Sequence, residues 1–262
     1  MNFGYHEVEL GQSNFVSSAT QQHPLGTKGR TQDGRMFVYV RAGASDLVAG
    51  NVIQSAATSA GHLTLAVNTT SGGTSPGSTS IAVTCVSAVS TGFYNEGYAI
   101  VATGSGQGSA YGIQVCPAVS TGATGVFTLY TEDAIPSLTN MTISTSSKIS
   151  LVPNPYQNVI QAPATTLTGM VAGVAQYVIT ATQFGWIQTW GLAAVISNDT
   201  TAAGDPVIGV ASTAGRVEGI VSATSGATAT FLGNMVRGPV IGYMVVVGVQ
   251  GEVRPVFLTI AP

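Results

Sequence analysis

Residues that could carry catalysis are few in this sequence, and none stands in a complete catalytic pattern. Residues 73–77, Gly-Thr-Ser-Pro-Gly, match the nucleophile elbow of serine hydrolases, but that motif needs a strand before the serine and a helix after it. Glu132 and Asp133 are adjacent and would point apart on a strand. Asp199 and Asp205 flank a loop, where carboxylates commonly cap turns. We therefore expect that the protein is not an enzyme.

Metal and cofactor sites have no better support. His6, His23 and His62 lie far apart and have no cysteine or histidine at ligand spacing. The glycine-rich residues 104–108 follow an apolar run, but a phosphate-binding loop needs a helix N-terminus behind it. Residues 111–115 alternate like a strand instead. We expect no metal and no cofactor, and we interpret residues 104–108 as a hairpin loop.

The chain is unusually poor in charge. Charged residues make up only 7% of its 262 residues, against about 25% in ordinary soluble domains. Because a free monomer normally stays soluble through a mixed charged surface, this deficit indicates that other subunits cover much of the surface. The alternative is a monomer whose surface consists of Ser, Thr, Asn and Gln. We expect a component of an assembly that associates with itself.

The distribution of charge also excludes two classes of partner. Eight scattered Lys and Arg and a formal net charge of -3 give neither a basic stripe for nucleic acid nor a polybasic patch for a membrane. Residues 1–10 lack the basic start and apolar core of a signal peptide, and the apolar run 240–249 is too short to span a bilayer as a helix. We expect synthesis in a host cytoplasm, where Cys85 and Cys116 remain reduced, small apolar fillers.

Large aromatic side chains concentrate in residues 183–191, which contain both tryptophans. As a strand, this stretch places Phe184, Trp186 and Trp190 on one face, and its glycines leave the other face open to close approach. Such rings bury about 150 to 250 Å² each, so the segment is predicted to anchor a core or a subunit contact. The alternative is an aromatic platform that stacks on sugar rings.

An N-terminal arm supplies the other candidate contact residues. Residues 1–34 have the pattern of an extended arm whose aromatic residues are spaced by polar ones, and an arm of this kind needs a partner surface to order it. We expect it to reach a neighbouring subunit. The predicted interface residues are Phe3, Tyr5, Phe15, Phe184, Trp186 and Trp190.

The remaining chain is predicted to be all-β, built from antiparallel sandwich or barrel units. Short apolar runs recur between clusters of Gly, Ser, Thr and Asn, at 35–41, 63–67, 80–86, 98–102, 110–115, 126–130, 206–210, 215–221, 240–249 and 253–260. Pro153 and Pro155 interrupt the pattern and mark a boundary. We predict two β domains, 35–155 and 156–262. The last strand, 253–260, is predicted to close the sheet and to be buried on both faces.

Short motifs along the chain resemble those of structural proteins of tailed bacteriophages. They are residues 23–27, 33–40, 48–51, 94–98, 106–108 with Tyr111, 185–191 and 204–207. The resemblance implies a capsid decoration (cement) protein, which lies on the outside of the virion head, clamps neighbouring major capsid subunits and is often a homotrimer. It carries over no catalytic residue. The same motifs leave open a tail or head–tail component, or a glycan- or receptor-binding module of a virion.

Overall fold

The computed structural model describes residues 13–71, 75, 77–135, 143–209, 211–220 and 238–261. Within these residues the chain is all-β and antiparallel, which confirms the predicted fold class. The strands are β1 (Lys28–Arg30), β2 (Met36–Arg41), β3 (Val52–Gln54), β4 (Leu65–Val67), β5 (Ser80–Thr84), β6 (Tyr98–Thr103), β7 (Ala110–Val115), β8 (Thr124–Leu129), β9 (Lys148–Val152), β10 (Ile160–Gln161), β11 (Val171–Ala175), β12 (Phe184–Ile196), β13 (Pro206–Ile208), β14 (Glu218–Gly219), β15 (Val240–Met244) and β16 (Val253–Thr259). None of the helices in the described ranges has the length and apolar character needed to span a bilayer.

The chain forms two compact units. Thr58–Asn154 form an inserted unit, and Met1–Ala57 together with Pro155–Pro262 form a host unit that the insertion interrupts. These boundaries differ from the predicted domains, 35–155 and 156–262, at the first of the two cuts. The strands β2 and β3 belong to the host unit because β2 pairs with β12 and β3 pairs with β11. Such pairing joins residues more than a hundred positions apart, so no local pattern reveals it.

The inserted unit is a closed six-stranded barrel. Its strand order is β4-β5-β8-β7-β6-β9, and β9 pairs back with β4 to complete the ring. Closure removes the free strand edges at which other chains could pair. The interior holds large side chains that are almost fully buried, among them Ile81, Tyr94, Phe127, Ile149 and Leu151. The barrel therefore has a packed core of its own.

The host unit is a ten-stranded antiparallel sheet organised around β12, its longest strand. The main path is β10-β3-β11-β12-β16-β15-β13-β14, and β2 joins β12 and β1 beside it. The first half of β12 pairs with β2, from Phe184 to Trp190, and the second half pairs with β16, from Trp190 to Ile196. The aromatic stretch thus occupies the centre of the sheet.

Both units contain the same local arrangement, in which two segments that connect strands exchange backbone hydrogen bonds. In the host unit, Leu47 and Ile179 exchange backbone hydrogen bonds of 2.9 and 3.1 Å between the pairs β2–β12 and β3–β11. In the inserted unit, Val89 and Val119 do the same at 2.8 and 2.9 Å between the pairs β5–β8 and β6–β7. One four-strand arrangement is therefore used twice in the chain.

The C-terminal strand is buried on one face only, so that prediction is wrong. In β16, Val256 and Leu258 are fully buried, whereas Val253 and Phe257 are 53% and 40% exposed. The strand has a hydrogen-bonded neighbour on each side, β12 and β15, and it lies within the sheet rather than closing it. Apolar residues on both of its faces led to the error, because one of those apolar faces is at the surface.

The described part of the predicted arm packs against its own host unit. Ser18 and Phe184 exchange backbone hydrogen bonds of 2.9 and 2.8 Å, and Leu25 joins a buried aromatic cluster. The strand β1, at the end of the arm, pairs with β2. Residues 13–34 are therefore part of the host unit rather than a free extension. Phe3 and Tyr5 lie outside the described residues.

Candidate functional site

The two tryptophans of β12 occupy different environments. Trp186 is fully buried and packs in a cluster with Leu25, Phe37 and Tyr39. Its ring centroid lies 5.0 Å from that of Tyr39 in an edge-to-face arrangement. Trp190, four residues later, is only partly buried. Of the two interpretations of the aromatic stretch, core packing describes Trp186, and surface contact remains open for Trp190.

A β-bulge separates the two environments. The register of β12 against β2 shifts between Gln188 and Trp190. The buried side-chain amide of Gln188 donates to the carbonyls of Trp190 and Leu192, both at 2.9 Å. Gly191 has a φ of +86°, in the left-handed region where glycine is favoured. Gln188 and Gly191 thus hold the strand in the shape that presents Trp190 and Leu192 at the surface.

Beyond the bulge, the outer side of the sheet is apolar and exposed. Leu192 is 52% exposed and lies opposite Phe257, which lies opposite Tyr243, 47% exposed, on the next strand. On the buried side of β12, Ala193 and Val195 point into the core. We define the apolar face as Trp190, Leu192, Ala194, Tyr243, Val245, Val253, Pro255 and Phe257. This surface is the candidate functional site.

Two grooves run along the apolar face, one on each side of Leu192. The larger, of about 660 Å³, lies between the β1–β2 turn and the Trp190 and Phe257 rings, which meet edge to face with centroids 5.7 Å apart. The smaller, of about 460 Å³, is lined by Phe15, Ala194 and Pro255 among others. Phe15 and Trp190, both predicted as interface residues, therefore border one continuous surface.

Charged side chains border the apolar face: Arg30 lines the larger groove, and two further pairs of charges are neutralised within the chain. Arg35 Nε lies 2.7 Å from an oxygen of Asp33, and Arg254 lies 2.5 Å from an oxygen of Glu252. The hydroxyl of Thr31, followed by the Arg35 side chain, lowers the pKa of Asp33 and keeps that carboxylate ionised. The surface consequently has an apolar centre and a polar rim, which is the usual anatomy of a protein–protein interface.

Phe184, the remaining predicted contact residue, is half-buried away from the apolar face. Its ring stacks on Tyr39 at a centroid distance of 6.1 Å, and the guanidinium of Arg41 lies 5.6 Å above it. Phe15 and Trp190 thus line two grooves that share Leu192, whereas the Phe184 and Trp186 rings pack with Tyr39. Leu192, Tyr243, Val253 and Phe257 were not predicted. Exposure distinguishes these four residues from the buried apolar residues of the same strands, and the residue type alone does not show which apolar residues are exposed.

The groups with chemical potential have structural partners. Asp199 accepts hydrogen bonds from the Thr201 hydroxyl at 2.6 Å and from the Gly219 amide at 3.2 Å, as a turn-capping carboxylate does. Cys85 and Cys116 are free, buried thiols. Burial, with a smaller contribution from Cys116, raises the pKa of Cys85 to about 11, so this thiol is protonated at neutral pH. Within the described ranges, no group of three or more His, Cys, Asp or Glu could hold a metal ion.

Comparison of the chain with protein-family models, with curated proteins and with solved structures finds no match. The resemblance to phage structural proteins therefore stays a prediction from the sequence.

Proposed function

We propose that the chain is a virion structural protein of a tailed bacteriophage, a decoration (cement) protein of the capsid surface. In this role it forms a homo-oligomer that binds the assembled head and bridges major capsid subunits. The observation that carries the proposal is the apolar face, a broad exposed surface in a chain with only 7% charged residues. An exposed patch of this kind marks an interaction site, and the phage-like sequence motifs supply the class of partner.

The mechanism follows from mass action. A protein that binds the assembled shell, but not its dissociated subunits, shifts the equilibrium toward the shell by RT ln(1 + [L]/Kd). At a free concentration about 100 times the Kd, the shift is about 2.7 kcal/mol per site. Rigid β units suit this task because a preformed surface loses little conformational entropy on binding. No catalytic group takes part.

Co-sedimentation tests the proposal. Empty heads are assembled from the major capsid protein encoded in the same genome and mixed with the purified chain, and unassembled capsid subunits serve as the matched control. We expect the chain to pellet with the heads, to remain apart from the free subunits, and to raise the temperature at which the heads dissociate. Heads that neither retain the chain nor gain thermal stability would refute a decoration role.

A saccharide-binding module of a virion is the second candidate. The larger groove favours it, because Trp190 and Phe257 offer aromatic rings beside the polar side chains of Asp33 and Arg35. Aromatic rings provide stacking surface, and charged side chains can fix sugar hydroxyls through hydrogen bonds. A glycan array probed with the labelled chain tests this function. A hit that disappears in Trp190→Ala would support it, and an array without hits would remove it.

A further inference from the structure

We propose that the apolar face packs against a second copy of this chain. The inference rests on the proposed function in that it names the surface through which the protein would form its oligomer. It is argued from the exposed area, the rim charges and the construction of the face.

The exposed area is large enough for a subunit contact. Leu192, Tyr243, Val245, Val253 and Phe257 are each 40% to 53% exposed. Since large side chains have on the order of 200 Å² of surface each, these residues and their neighbours offer on the order of 600 Å² of apolar surface. A monomer's largest patch is about 300 to 600 Å², and a standard interface buries about 800 Å² on each partner. The face is therefore at the upper limit for a free monomer and close to the size of a subunit contact.

The charges at the rim favour a like surface over a charged partner. Asp33 pairs with Arg35, and Glu252 pairs with Arg254, so each rim pair is neutral within the chain. Beside these two neutral pairs, Arg30 also lines the larger groove, so the rim offers an oppositely charged partner little net charge to recognise, and pairing by charge is what usually selects such a partner. A second copy presents the same apolar centre and the same two neutral pairs. Two such faces can meet without leaving a buried charge unpaired.

The face is also built as a rigid platform. Leu192, Phe257 and Tyr243 lie side by side on three strands that are hydrogen-bonded to one another, and the Gln188 amide holds the bulge at one end. Aromatic anchors such as Trp190, Tyr243 and Phe257 are the residue types that dominate binding energy in protein interfaces. Because the platform is already ordered, association would immobilise few side chains.

Sedimentation velocity on the full chain tests the proposal, with Leu192→Lys as the disrupting variant. Val86→Lys is the matched control, because Val86 is 66% exposed and belongs to the inserted unit, whereas the residues of the face belong to the host unit. We expect the wild-type chain and Val86→Lys to sediment as oligomers. Leu192→Lys should raise the dissociation constant about 30-fold or more, since a buried lysine at the centre of an interface lacks a partner.

Tyr243→Lys, on β15 and separated from β12 by β16, repeats the test with an independent exposed side chain. Thermal unfolding at a concentration below the dissociation constant verifies that each variant is folded, and if one is not, the other carries the test. A monomeric wild-type chain, or an oligomer that both face variants leave intact, would overturn the inference. In those cases the occupant is another molecule, such as a glycan or the capsid protein.

The result is separable from that of the head-binding experiment. An oligomer that Leu192→Lys dissociates, in a chain that fails to bind heads, would refute the decoration role and leave this interface standing. A chain that binds heads, and whose oligomer both face variants leave intact, would refute this interface and leave the decoration role standing.

Discussion

Removing Trp186 should destabilise the host unit far more than removing Trp190. Trp186 is fully buried in an aromatic cluster, and its indole nitrogen has no hydrogen-bond partner among the described residues, so the loss in Trp186→Ala is one of packing. Truncating a buried aromatic residue to alanine costs about 3 to 5 kcal/mol, a large part of a typical stability of about 5 to 15 kcal/mol. Trp190 is partly exposed and pairs edge to face with Phe257. Trp190→Ala should cost about 0.5 to 1.5 kcal/mol.

Tryptophan fluorescence during urea unfolding measures both changes. Trp186 and Trp190 both lie in the host unit, so each single variant keeps one tryptophan that reports on that unit alone. Each variant is compared with wild type on condition that the dependence of the unfolding free energy on urea concentration is unchanged. An unchanged slope shows that the compactness of the folded and unfolded states is the same. A Trp186→Ala variant within about 1 kcal/mol of wild type, or one no less stable than Trp190→Ala, would refute the assignment of Trp186 to the core.

Three further predictions follow from local contacts. Gly185→Ala should lower the free energy of unfolding by about 1 to 3 kcal/mol, because a Cβ would overlap the Tyr177 hydroxyl. The loss should shrink in a Tyr177→Phe background, and an equal loss in both backgrounds would count against the overlap. His62→Phe should cost about 1 to 3 kcal/mol in the thermal unfolding of the barrel, because the buried Tyr94 hydroxyl loses its 2.5 Å partner; an unchanged transition would contradict this. Burial raises the pKa of Cys85 from 9.0 to about 11, so the folded state retains the thiol proton longer than the unfolded state. The stability that this thiol contributes should be present below pH 9 and lost as the pH rises to 11, and urea midpoints of Cys85→Ala that show the same alkaline decline as wild type would disprove it.

The sequence predicted several strands closely, including β2, whose four central residues are buried. The run 110–115 matches β7 residue for residue. The strand β11 was not predicted, and all five of its residues, Val171–Ala175, are buried. A short strand buried on both faces has no alternation between apolar and polar residues, so periodicity cannot identify it. The strand β3, Val52–Gln54, is likewise buried throughout and was missed for the same reason.

The insertion of one unit into the other could not be predicted from local patterns. A sequence repeat did mark the strand arrangement within the inserted unit. The five residues Ala-Val-Ser-Thr-Gly occur at 88–92 and again at 118–122. They contain Val89 and Val119, the two residues that exchange hydrogen bonds in the barrel. The repeat therefore marks the two segments of the inserted unit that exchange backbone hydrogen bonds. The corresponding segments of the host unit, which contain Leu47 and Ile179, have no such repeat, because burial at these positions requires only an apolar residue.

The apolar face shows the limit of predicting a site from residue types. Trp190 stood out in the aromatic stretch and Phe15 in the N-terminal arm, but Leu192 and Val253 belong to runs with apolar residues on both faces. Which side of such a run faces the core depends on what packs against the sheet. The strand pairing that builds the face joins β12 to β16, which is about sixty residues further along the chain.

The interruption of the host unit by the barrel has a consequence for biosynthesis. A ribosome delivers the chain from the N-terminus, and domains generally fold as units while it emerges. All six barrel strands have emerged by Val152, whereas β2 and β3 must wait for β12 and β11, which are made later. The barrel can therefore fold before the host unit is complete. During that interval β2 can pair with β1 but not with β12, and β3 has neither of its partners, β10 and β11.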